Sequence, residues 1–86
     1  MAVAIALRVR FFARLREQAG LEIEVMHVPV HSTLGAVYDA AREKHPGLES
    51  DRQAVRGAIN QEFSDWSATV SDGDEVAFIP PVSGGF

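Results

Sequence analysis

Eighty-six residues, 47% of them hydrophobic and 23% charged, describe one domain with a small core. A formal net charge of -4, with no basic cluster longer than Arg14 to Arg16, excludes the footprint of a nucleic-acid binder, and no window approaches the ~18 apolar residues of a membrane span. Cysteine is absent, which removes disulfides, zinc–thiolate sites and thiol nucleophiles.

The opening stretch MAVAIALRVRFF has no basic region ahead of its apolar run and holds Arg8 and Arg10 within it. It therefore reads as a strand and not as a signal peptide, and the expected location is the cytoplasm. From Ala4 to Phe12, Ile5, Leu7, Val9 and Phe11 point one way while Ala6, Arg8, Arg10 and Phe12 point the other. The arginines must face water, so Phe12 shares their face and becomes a candidate contact residue. Phe12 to Ala19 predicts a short helix, with Leu15 and Ala19 one turn apart and Gly20 as its C-terminal cap.

Glu22 to Val28 reads as a second strand whose alternation blurs around Val25 and Met26, which predicts a bulge or an edge position, and Pro29 ends it. Ser32 or Thr33 can cap a longer helix, where Leu34, Val37, Tyr38, Ala41 and His45 follow one buried face and Asp39, Arg42 and Glu43 a solvated one. Pro46-Gly47 stops that helix. Ala54 to Asn60 predicts a strand with Val55, Gly57 and Ile59 towards the core, and Asn60-Gln61 a turn. Between Glu62 and Val70, Phe63, Trp66 and Val70 are apolar without a firm period, and one short strand is expected. After the Asp72-Gly73 turn, Glu75 to Ile79 forms the last strand, with Val76 and Phe78 inward and Ala77 and Ile79 outward.

One amphipathic helix and four or five short strands are satisfied by a sheet with the helix on one face, an α+β roll. The pattern alone does not separate a β-grasp from a ferredoxin-like arrangement, although the latter wants a second long helix before its last strand. His27 and His31 have the spacing of metal ligands, but Pro29 lies between them and no third ligand suggests itself, so no metal is expected. Asp72, Asp74 and Glu75 are more simply turn residues than a patch for a basic partner. No internal nucleophile or acid–base set stands out, so the chain is not expected to be an enzyme by itself.

Two segments, VRFFARLREQAG (Val9 to Gly20) and AINQEFSDWSATVSDGDEVAFIPPVSGG (Ala58 to Gly85), closely resemble the small subunit of molybdopterin synthase, a ubiquitin-like sulfur carrier. The resemblance implies a ubiquitin-like β-grasp: a mixed sheet of four to five strands, one main helix and one short helix, with the first and last strands parallel at its centre. Phe12 and Ile79 would then meet at one edge as a docking patch, with Phe63 where the family also has an apolar contact. For Phe63 or Trp66 alone, closure of the core is an equal reading.

The resemblance also implies the chemistry. A partner activating enzyme uses ATP and magnesium, neither bound by this chain, to adenylate a terminal glycine carboxylate. A sulfur donor converts it to a thiocarboxylate, which the large synthase subunit takes up to sulfurate a pyranopterin precursor. Here residues 1–80 would form the domain and 81–86 a flexible tail, with Pro80, Pro81, Val82 and Ser83 as its lead and Gly84 and Gly85 as its reactive end. Glycines fit a passage with room only for backbone, and the prolines stiffen the approach. Phe86 departs from the family pattern. One extra residue shifts the carboxylate by about 3.3–3.6 Å, where ~1 Å already costs about 10²-fold in rate, so Phe86 is expected to be a one-residue propeptide removed by a peptidase, with a residue added in cloning as the alternative. Two other functions use the same tail: a ubiquitin-like modifier joined to target lysines, and a sulfur carrier for tRNA thiolation, thiamine or cysteine synthesis.

Overall fold

Strict alternation makes the first strand, and it determines everything packed beside it. The computed structural model describes residues 3–81. β1 (Ala4–Phe11) buries Ile5, Leu7, Val9 and Phe11 and turns the arginines outward, as its sequence predicts. β2 (Ile23–Pro29) pairs with it antiparallel, from Ala4 opposite Pro29 to Arg10 opposite Ile23, without interruption. Of the two alternatives its sequence offers, β2 takes the edge position, with no bulge at Val25-Met26. The alternation blurs because Ile23 and Val25 are apolar but exposed, while Glu24 faces inward to meet Lys44 and His45.

The short helix α1 (Arg14–Ala19) begins two residues later than its sequence suggests. The Phe12 amide donates to the Phe78 carbonyl (3.1 Å), so Phe12 continues the sheet, and Ala13 turns the chain with a positive φ of 53°. Gly20 closes α1 in the left-handed conformation at φ 82°, a backbone that favours glycine.

Helix α2 (Leu34–Lys44) lies across one face and buries Leu34, Val37, Tyr38 and Ala41 against the sheet. Thr33 is its cap: the Thr33 hydroxyl accepts from the Ala36 amide at 3.2 Å. The Leu34 and Gly35 amides donate to the carbonyls of Ala68 (2.8 Å) and Trp66 (2.9 Å), so the aperiodic loop after the fourth strand satisfies the free donors of the helix. His45 ends α2 with φ -129° and ψ 82°, outside the α region that a following proline disfavours. Asp39 and Glu43 are exposed as expected, whereas Arg42 is half-buried and its Nε lacks a hydrogen-bond partner among the described residues.

A turn of 3-10 helix at Arg52–Ala54 occupies the start of the expected third strand, so β3 is shorter, Arg56–Ile59. The two-residue turn Asn60-Gln61, with φ of 50° and 72°, leads into β4 (Glu62–Ser64). β5 (Glu75–Ile79) completes a mixed sheet in the order β2-β1-β5-β3-β4, with β1 and β5 parallel at its centre. This is the β-grasp, with one main helix and one short helix. Tyr38 and Phe78 meet edge to face at 4.8 Å, and Trp66 lies against both, so Trp66 closes the core. Gly57 lets the helix come close, since a Cβ there would meet Leu34 Cδ2 at 2.6 Å. The Tyr38 hydroxyl donates to the Glu49 carbonyl (2.7 Å), and burial, with Glu49 nearby, pushes its pKa up to about 12. No helix among the described residues is long and apolar enough to cross a membrane.

Glu24 ties the end of α2 to the edge strand. Burial disfavours its charge, but Lys44 Nζ at 2.9 Å and His45 Nε2 at 2.6 Å outweigh that and hold the carboxyl below the usual glutamate value. A carboxyl lowered on folding stabilises the native state above its unfolded pKa, and that contribution disappears as pH falls through the folded value. Urea unfolding across the acidic range should therefore show a steeper loss of stability for the native chain than for Glu24→Gln. Identical pH profiles would contradict this role for the Glu24 cluster.

Candidate functional site

The open face of the sheet, opposite α2, collects the outward residues of four strands. Phe11 pairs with Phe78 in the parallel β1–β5 ladder, so the next residues, Phe12 and Ile79, end up side by side at the same sheet edge. Across β5, Ala77 pairs with Ala58, and Ala58 with Phe63. The two alanines form the floor of a recess of about 150 Å³ whose walls include Phe12, Ile79 and Phe63, with Arg10, Glu75 and Gln61 on its rim. Small residues below and apolar rings around them make a socket for an apolar side chain.

The structure therefore brings together the three expected contact residues, but unequally. Phe12 and Ile79 are half-buried, and Phe63 is 63% exposed. The two cations at the recess are laid on rings: the Arg10 guanidinium lies 4.9 Å from the centre of Phe12, and that of Arg56 lies 4.7 Å from the centre of Phe63. Arg10 also pairs with Glu75 at 3.5 Å.

Pro80, half-buried, and Pro81, exposed, follow β5 directly, so the root of the tail adjoins Phe12 and Ile79. Val82, Ser83, Gly84, Gly85 and Phe86 lie outside the described residues. The acidic turn is occupied internally. Asp72 Oδ1 accepts from the Ala6 amide (2.8 Å), while Asp74 accepts from the Ser71 amide (2.7 Å) and from Asn60 Nδ2 (3.0 Å). Glu75 pairs with Arg10, and its amide donates to Asn60 Oδ1 (2.9 Å). Among the described residues no group of three or more His, Asp or Glu is placed to hold a metal ion.

Ala58, Ala77, Gln61 and Arg56 were not singled out by sequence as parts of the site. A signal existed: with Val55, Gly57 and Ile59 inward, alternation sends Arg56 and Ala58 outward. Their importance depends on the Asn60-Gln61 turn, which brings Phe63 back over the same face.

The family model described as the ThiS family matches residues 9–85 of this chain. A molybdopterin synthase sulfur carrier subunit from Arabidopsis thaliana is 39% identical, over 95% of this chain and 85% of that protein. The solved structure of small archaeal modifier protein 1 from Haloferax volcanii superposes with a TM-score of 0.82 at 32% identity, covering 93% of this chain and 99% of that one. The complex of subunits 1 and 2 of molybdopterin-converting factor from Helicobacter pylori contains a chain that superposes with a TM-score of 0.67 at 27% identity, over 94% of this chain and all of that one.

The different exposures of the rings have a measurable consequence. Phe63→Ser, at the surface, should change unfolding free energy by no more than about 0.5 kcal/mol, whereas Phe78→Ala, in the core, should cost about 3–5 kcal/mol. Chemical denaturation of the two variants checks this, and a large loss for Phe63→Ser would make that ring structural.

Proposed function

Because this chain belongs to the ThiS family and is a homologue of molybdopterin synthase sulfur carrier subunits, we propose that it carries sulfur as a thiocarboxylate on Gly85 and delivers it inside the large subunit of that synthase. The observation that carries this reading is the meeting of Phe12 and Ile79 beside the root of the tail, in a recess with Phe63. A partner that seats the recess also fixes where the tail begins.

Each step uses a simple property of the chain. The Gly85 carboxylate attacks the α-phosphate of ATP on an activating enzyme that also binds magnesium, releasing pyrophosphate and leaving an acyl adenylate. Sulfide supplied by a sulfur donor then attacks the acyl carbon, AMP leaves as the acyl C–O bond to it breaks, and the thiocarboxylate remains. With no cysteine in the chain, the C-terminal acyl group is the covalent position left for sulfur. Gly84 and Gly85 present backbone alone to a narrow active site, while Pro80 and Pro81, with Val82 and Ser83, span the distance from the domain. Catalytic acids, bases and lysines belong to the partners, so the chain is a donor subunit and not an enzyme by itself.

Phe86 follows Gly85, and activation at Gly85 requires hydrolysis of the peptide bond between them by a peptidase. The family match ends at Gly85, which supports that boundary. The likeness to small archaeal modifier protein 1 supports a second reading, in which the same Gly85 is joined to lysines of target proteins.

The test is reconstitution. A form ending at Gly85, given activating enzyme, ATP, magnesium and sulfur donor, should exchange one oxygen for sulfur by intact mass and then make molybdopterin with the large subunit. The form that retains Phe86 should not be charged, and deletion of Gly84-Gly85 should reduce product to the level without carrier. A charged carrier that made no molybdopterin, but formed conjugates in extracts, would replace the first reading with the second.

A further inference from the structure

Two guanidiniums flank the recess, and they differ in one respect. Both lie over a phenylalanine ring, Arg10 over Phe12 and Arg56 over Phe63. Arg10 has its carboxylate within the chain, in Glu75 at 3.5 Å. Arg56 has none among the described residues, whereas Arg8, Arg14, Arg16 and Lys44 are each ion-paired. Arg42 and Arg52 also form no ion pair there, but neither touches a wall of the recess, whereas Arg56 lies over Phe63 and pairs with Ile79, two of its walls. Arg42 is half-buried on α2, and Arg52 lies over Trp66 and against Gly35.

We propose that Arg56 is a charged docking anchor, completed by an aspartate or glutamate of the protein that receives the tail. The proposal rests on the tail-delivery reading above and adds a residue that sets how the partner is oriented.

Position supports it. Arg56 pairs with Ile79 across the β3–β5 ladder, so it stands beside the last strand residue before Pro80. It is exposed, and it also borders a second, wider concavity of about 620 Å³ on the far side of Phe63, through which a partner loop can approach. Asp65 is the one acidic residue lining that concavity and forms no ion pair with Arg56.

Chemistry specifies the occupant. A guanidinium that meets a ring on one side keeps N–H donors directed away from it, where a carboxylate can accept two of them at once. Phe63 limits the rotamers of Arg56 and so reduces the entropy lost on pairing. The chain carries a net charge of -4, so most of its surface repels an acidic loop while this point attracts one. Such an arrangement favours one orientation of the partner over others.

The experiment is a binding titration of the form ending at Gly85 against the large synthase subunit of the same organism, at low and at moderate salt. Arg56→Ala should weaken binding about 5- to 10-fold and flatten its salt dependence, Arg56→Glu should weaken it about 30-fold or more, and Arg56→Lys should fall between native and Arg56→Ala. Ser50→Glu, which changes net charge as much as Arg56→Ala does, should stay within about twofold of native. Thermal melting should be unchanged in all four. Native affinity and native salt dependence in Arg56→Ala and Arg56→Glu would overturn the proposal. If Phe12→Ala with Ile79→Ala then abolished binding, the tail-delivery reading would survive that loss, whereas failure of the unsubstituted form ending at Gly85 to bind would remove both.

Discussion

The site depends on one constraint: the first and last strands must pair in parallel at the centre of the sheet. That pairing, with Phe11 opposite Phe78, brings together residues separated by most of the chain. It sets Phe12 next to Ile79 and places Pro80, where the chain leaves the last strand, at the same edge. Parallel neighbours cannot be joined by a tight turn, so the connection between them holds the whole of α2, β3 and β4. These elements cover one face of the sheet and extend the other. The inward face becomes core and the outward face remains available to a partner.

A second set of contacts keeps the outward face in register. Asn60 sits in the turn between β3 and β4 with positive φ, and its amide donates to the Glu75 carbonyl at 2.7 Å. Its side chain bonds both Asp74 and the Glu75 amide. The hairpin bearing Phe63 is thereby fastened to the start of β5, whose end is the root of the tail. This gives a physical reason for the linked spacing of Asn60-Gln61 and Asp72 to Glu75: moving either would shift Phe63 relative to Ile79. Glu75 contributes again by neutralising Arg10, so the left side of the recess is electrostatically closed while Arg56 remains open on the right.

Much of this was legible in the sequence where a period dominated. Alternation placed the outward and inward residues of β1 and β5, and the helical stripe of α2 followed from spacing, which left Ser32 and Thr33 as alternative caps until the structure selected Thr33. The edge strand was harder, because Glu24 faces inward to partners on α2 some twenty residues away while Ile23 and Val25 face solvent. The stretch from Asp65 to Val70 has no period because it is not an element. Its carbonyls cap α2 and its Trp66 closes the core, and both roles are set by tertiary position. For the site, alternation could point Phe12 and Ile79 outward but could not make them neighbours. Their adjacency came from the resemblance, and the sheet order bears it out. Arg56 was reachable by the same alternation, yet its significance appears only once Phe63 is folded back against it.

The central claim is that the recess and the root of the tail act as one docking edge. It is tested most directly by titrating isotope-labelled chain with unlabelled large subunit and following the signals residue by residue. The account predicts that Phe12, Ala58, Phe63, Ala77 and Ile79 are perturbed together, while the exposed residues of α2, such as Asp39 and Glu43, are not. Perturbations gathered on α2, with Phe12 and Ile79 unchanged, would contradict it.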